Sequence, residues 1–313
     1  MQMPKRKWMI LFIKVILLAA VLFFVGKAIS QAIFKISWAD LDINNWFLML
    51  SVFFEIATRL FVGLFYGLLL RYFKSPVYPG VAVAVSWISF LGKYVPGKVA
   101  VLGSAVYLLS RYNVRRAVAA VVPVIATIMT VAVSLLLSIP LLFSSLSGDL
   151  AVFANFMVVF IVLASVMAIR PHIFIKPGNY LLQKMGYSPI ETGLYVKQAL
   201  GGICIVLGQC YCAGLSTWCF VNAFVSSGLE TLPMIISITV FAGAVGLLAL
   251  FSPAGIGVRD GIYFLFFGPL MGVEMAALVV VCLRLLQTII DLLTAGLGWL
   301  LLRRWPTAIK NGS

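Results

Sequence analysis

The feature that most constrains this chain is its succession of long, nearly charge-free apolar runs. Six of them, at about 8–29, 46–70, 117–143, 150–169, 197–224 and 273–302, reach the roughly 20 residues that a helix needs to cross a bilayer. Of the 313 residues, 63% are hydrophobic and only 10% charged. A soluble domain carries about 25% charged residues, so this chain lacks the polar surface to cover a water-facing fold. The sequence predicts an all-α, polytopic integral membrane protein forming one transmembrane domain over residues 1–313.

Two further apolar tracts, 77–109 and 231–269, are interrupted by Pro and Gly at "LGKYVPGKV" and "LFSPAGIGVRD". Halves of about twelve residues are too short to cross, so each tract is expected to form a re-entrant helical hairpin. About six transmembrane helices and two oppositely oriented hairpins result. The order span, hairpin, span occurs twice, over 46–143 and 197–302, with opposite orientations, which is an inverted-repeat plan. Between the repeats, a short interfacial helix is expected at Asn179 to Met185.

Orientation follows from Lys and Arg alone. With the N-terminus inside, the inner loops collect Arg71, Lys74, Arg111, Arg115, Arg116, Arg303 and Arg304, among others. The outer loops hold Lys27 and Lys35 beside Asp40, Asp42, Asp149, Glu230 and Glu274. The expectation is a cytoplasmic (inner) membrane protein with both termini cytoplasmic. The run Trp8–Val25 exceeds a signal-peptide core of roughly 7–15 residues, so an uncleaved first span is expected.

The net charge of +14 therefore reports membrane orientation, and no nucleic-acid partner is expected. His172 is the one histidine and lies beside Pro171, offering neither a zinc site nor a general base. Cys204 and Cys210 of "CIVLGQCYC" point to widely separated helix faces at about 100° per residue, so no metal, cofactor or catalytic residue is expected, and the chain does not read as an enzyme.

The chemistry-bearing residues lie at depth. Glu55 and Arg59 are one turn apart, with Ser51 and Thr58 near the same face; Arg284, Gln287, Thr288 and Asp291 form a second stripe. A charge at a span centre costs about 2.5–3.5 kcal/mol on insertion scales, so these groups should face the bundle interior and pair with one another. At the breaks lie Lys93, Pro96, Gly97 and Lys98, then Pro253, Gly255, Gly257, Arg259 and Asp260. Helices restarting after a break aim N–H groups and the positive dipole end at a cavity. Basic groups exceed acidic ones there, which suits an anionic partner such as a lipid phosphate. Arg259 and Arg284 are the candidate phosphate ligands, assisted by Lys93, Lys98 and Arg59; Asp260, Asp291 and Glu55 are their charge partners.

"FSPAGIGVRDGIYFLFFGPLMGVEMAALVVVCLRLLQTIIDLL" resembles the C-terminal signature of the lysylphosphatidylglycerol synthetase transmembrane (flippase-like) family. The match lies at Pro253, Gly255, Gly257 and Arg259, with Arg284 and Asp291 where a late pair belongs. "LGKYVPGKV" is similar to the family's earlier element at Gly92, Tyr94, Pro96, Gly97 and Lys98. Asp260 stands where the family usually has Glu, and "AVVPVIATIMTVAV" lacks a Glu many members carry. The resemblance implies a stand-alone member without the soluble synthase domain, moving an anionic phospholipid or lipid-linked phosphate between leaflets. A non-transporting partner of a lipid-modifying enzyme or glycosyltransferase is the alternative.

Overall fold

The computed structural model describes residues 43–95, 99–139, 196–249 and 252–305. The predicted spans 8–29 and 150–169, the interfacial helix at 179–185, and Pro96, Gly97 and Lys98 lie outside these residues. Every described element is helical. The α-helices are α1 (Asn45–Tyr72), α2 (Pro79–Phe90), α3 (Val99–Ser110), α4 (Arg116–Leu137), α5 (Val196–Phe224), α6 (Leu232–Leu248), α7 (Val258–Met271) and α8 (Val273–Arg304). Short 3₁₀ turns at Leu91–Tyr94 and Pro253–Gly255 follow α2 and precede α7.

Local chemistry sets the helix ends. Asn44 caps α1, its side-chain oxygen accepting from the Trp46 amide at 3.1 Å. Pro79 and Pro233 sit in the first turns of α2 and α6, where a missing N–H costs nothing. Asn113, in the left-handed region at φ 59°, turns the chain between α3 and α4. Gly272, at φ 84°, separates α7 from α8.

Five helices are long and apolar enough to cross a membrane: Asn45–Tyr72, Arg116–Leu137, Gly201–Phe224, Leu229–Leu248 and Val273–Arg304. Membrane-spanning character is thus clear, and one expectation changes. The first arm of the second broken tract is 20 residues long with its 3₁₀ start, not a half too short to cross. The break falls later in this longer tract, so its first arm is the longer of the two, while 224–232 and 272–273 still lie at one end of the bundle. The first tract keeps the shorter form, with arms of 12 residues each.

Contacts fix the relative helix directions. The Asn44 amide donates to the Ala223 carbonyl at 2.9 Å, Ser51 meets Ser216, and Gly208 lies against Phe61. α1 and α5 are therefore antiparallel along their length. α2 returns along α1, where a Cβ on Gly63 would lie 2.7 Å from the Val83 Cα. Gly298 of α8 abuts Ala84 of α2 in the same way.

Two ends of the bundle emerge. Residues 72–79, 110–116 and 304–305 share one end; 43–44, 137–139, 224–232 and 272–273 share the other. The first end carries Arg71, Lys74, Arg111, Arg115, Arg116, Arg303 and Arg304, and the second carries Glu230 and Glu274.

Helix contacts also repeat between the halves. Exchanging α1 with α5, α2 with α6, α3 with α7 and α4 with α8 maps the α1–α2 contact onto α5–α6. The same exchange maps α2–α3 onto α6–α7, α3–α4 onto α7–α8, and α4–α6 onto α8–α2. The 3₁₀ turn 91–94 touches the turn 253–255.

Candidate functional site

The first constellation gathers three elements around one carboxylate. Arg59 of α1 donates from Nε to Asp291 Oδ1 of α8 at 2.8 Å, and from Nη2 to Glu55 Oε1 at 2.7 Å. The other Asp291 oxygen lies 2.5 Å from Lys93 Nζ and accepts from the Tyr94 hydroxyl at 2.7 Å. Glu55 and Asp291 are 3% and 1% exposed, so water does not compete for them. A buried ion costs several kcal/mol unless it is paired, and here two cations meet two carboxylates. The ring of Phe90 lies under both cations, 4.9 Å from the Arg59 guanidinium carbon and 4.0 Å from Lys93 Nζ. Trp87 Nε1 donates to the Arg59 carbonyl at 3.0 Å, fixing α2 against α1.

The second constellation is built on the turn 252–257. Ala254, Gly255 and Gly257 all have positive φ, at 50°, 71° and 82°. For Ala254 this is a strained conformation. Arg284 Nη2 donates to the Ala254 carbonyl at 3.0 Å, and Ser252 Oγ donates to the Ile256 carbonyl at 2.6 Å. Backbone freed inside a membrane protein needs such internal partners. Asp260 Oδ2 accepts from the Gly257 amide at 3.1 Å and caps α7, while its Oδ1 lies 3.9 Å from Arg284 Nη1.

Arg259 stands apart. It donates from Nη2 to the Tyr263 hydroxyl at 3.0 Å, and its stem packs on Gly246 of α6. Its Nε is buried and has no hydrogen-bond partner among the described residues. Among the described residues no carboxylate lies within 4 Å of it. Arg259 and Asp260 adjoin in sequence but are not an ion pair, because adjacent helical positions point about 100° apart.

Of the predicted site residues, Glu55, Arg59, Lys93 and Asp291 come together directly. Arg284, Asp260, Pro253, Gly255 and Gly257 assemble at the second turn, which touches the first. Pro96, Gly97 and Lys98 lie outside the described residues. Tyr263, Phe90 and Trp87 contribute contacts that residue type alone does not single out, their one signal being aromatic placement beside a break; Tyr94 is marked in the sequence only by the family resemblance. Ser51 joins α1 to α5 through Ser216 instead of facing the ions. Gln209 keeps a buried carbonyl oxygen without a partner among the described residues.

Chemically, four cations at depth (Arg59, Lys93, Arg259, Arg284) face three carboxylates (Glu55, Asp260, Asp291) among the described residues. Such a set can hold an anion and exchange its partners. Cys204 is exposed and Cys210 buried, and every described cysteine is free. No group of three or more His, Cys, Asp or Glu side chains suited to a metal occurs among the described residues. No protein-family model matches the chain, and no curated protein matches it.

Proposed function

We propose that this protein is a lipid translocase that moves an anionic phospholipid, or a lipid-linked phosphate intermediate, between leaflets. One observation carries the reading: two broken helical segments enter from opposite ends of the bundle and touch at their 3₁₀ turns, beside charged residues in which cations outnumber carboxylates among the described residues. Broken helices meeting at depth are the usual makings of a substrate site in transporters. The repeated helix contacts support an inverted repeat of 46–143 and 197–302, with the broken tracts as opposed re-entrant hairpins.

In this reading a head-group phosphate reaches Arg259 first and then competes with Asp291 and Asp260 for Lys93 and Arg284. Orientation follows the basic end, placed in the cytoplasm of an inner membrane. The sequence motifs support membership in the lysylphosphatidylglycerol synthetase transmembrane family. The test is lipid exchange in reconstituted vesicles, with Arg259→Gln and Arg284→Gln as inactive variants. Vesicles that exchange no lipid with the wild-type protein favour the second reading, a partner subunit of a lipid-modifying enzyme or glycosyltransferase.

A further inference from the structure

We infer that Lys93 links the binding of an anionic lipid to the uptake of one proton. On the translocase reading, whose anion site this inference takes as its starting point, lipid and proton then cross together.

Guanidinium groups keep their protons at every working pH, whereas a buried amine can surrender its own. Arg59, Arg259 and Arg284 are therefore fixed charges, and Lys93 is the described cation at depth with a proton to exchange. Its side chain is 13% exposed, with one counter-ion among the described residues, Asp291 at 2.5 Å. That carboxylate is shared with Arg59 and the Tyr94 hydroxyl. Lys93 also contacts the rings of Phe90 and Tyr94, with centroids 4.0 and 5.2 Å from Nζ. The charges of Arg59 on α1 and Arg259 on α7 oppose the ammonium, and Arg284 of α8 acts on the adjoining Tyr94. Glu55 is engaged by Arg59. α2, α3 and the turn 253–255 also pack on the turn 91–94, and the one titratable side chain they bring is the exposed Tyr107.

The Lys93–Asp291 pair ties the first broken segment to α8. Parting it with the ammonium intact strands a buried charge, which is strongly unfavourable. Two changes remove that cost. The N–H bond can break, the proton passing to water while the electron pair stays on Nζ, or an arriving anion can replace Asp291. In either case Asp291 keeps its bond from Arg59. With the turn released, the empty site holds a neutral amine and the filled site an ammonium. Filling the released site therefore forms one N–H bond with a proton taken from water.

Calorimetry of the full-length protein in detergent tests this, with dihexanoyl phosphatidylglycerol as the probe. Titrations in two buffers of different ionisation enthalpy give the protons taken up per lipid. The count should rise toward one as pH is raised between about 6 and 9, and affinity should fall toward tenfold per pH unit once the amine is neutral. Lys93→Arg keeps the charge and cannot release its proton, so it should bind without uptake and without that pH dependence. Lys93→Gln imitates the neutral amine and should bind without uptake, at the affinity the wild type shows at high pH. Tyr94→Phe should keep the uptake.

Binding of the wild type without uptake overturns the inference. So does uptake that survives in both Lys93 variants, which gives the proton to another group, such as Lys14 or Lys98 outside the described residues. Absence of binding at every pH sinks the anion site and this inference with it. Proton-linked binding without lipid exchange in vesicles sustains the linkage and sinks the translocase reading; exchange without proton uptake does the reverse.

Discussion

Arg59 and Asp291 are 232 positions apart in the chain and meet at 2.8 Å. Their bond joins the first long helix of one half to the last helix of the other. Asp291 also receives Lys93 and Tyr94 from the turn after α2. The place of that turn therefore depends on one carboxylate from the opposite half of the protein.

Asp291→Asn should be strongly destabilising, because Arg59 and Lys93 both lose a buried counter-charge. Removing one partner of a buried pair costs about 3–5 kcal/mol. Adding Lys93→Gln should restore part of that loss, since the coupling is direct. Thermal unfolding of the two variants in one detergent measures it; equal melting temperatures for single and double variants would count against the pairing.

Gly63→Ala should weaken the α1–α2 contact, with its new Cβ 2.7 Å from the Val83 Cα. Overpacking of this kind costs about 1–3 kcal/mol. Gly103→Ala, where no atom lies within 4 Å of the added Cβ, is the matched control and should cost nothing. Chemical denaturation of both variants checks the difference.

The antiparallel run of α1 and α5 can be captured covalently. Ser51 and Ser216 place their hydroxyl oxygens 3.3 Å apart. In a background without native cysteines, Ser51→Cys with Ser216→Cys should form a disulfide under mild oxidation. Ser51→Cys with Gly202→Cys should not, because Gly202 lies at the other end against Phe65. Mobility on a non-reducing gel reads the result.

Arg284→Gln should loosen the turn 252–257 by removing the donor to the Ala254 carbonyl. Hydrogen exchange at Gly255 to Val258 should quicken, while exchange in the middle of α1 stays unchanged. Uniform quickening across the protein would mean that Arg284 supports the whole fold and not this turn.

Much of this architecture is legible in sequence because hydropathy is a local property. The spans expected at 46–70 and 197–224 form Asn45–Tyr72 and Val196–Phe224. Expected spans 117–143 and 273–302 correspond to Arg116–Leu137 and Val273–Arg304. The Glu55–Arg59 and Arg284–Asp291 stripes were readable too, because a charge inside an apolar run needs a reason. Partner choice was not readable. Neighbouring Arg259 and Asp260 suggest a pair, yet helix geometry sends one to Tyr263 and the other to the Gly257 amide. The roles of Tyr94 and Phe90 depend on how α2 meets α8, which no local pattern encodes. Arm length also escaped, since Pro and Gly mark a break without stating how much helix precedes it.

The central claim is that Arg259 meets the phosphate of a lipid that changes leaflet. The most direct measurement is dithionite bleaching of fluorescent phosphatidylglycerol in proteoliposomes. Wild-type protein should expose more than the half of the label already in the outer leaflet, and Arg259→Gln should return bleaching to the protein-free level while Arg259→Lys recovers part of it. Exchange by Arg259→Gln at the wild-type rate would contradict the account.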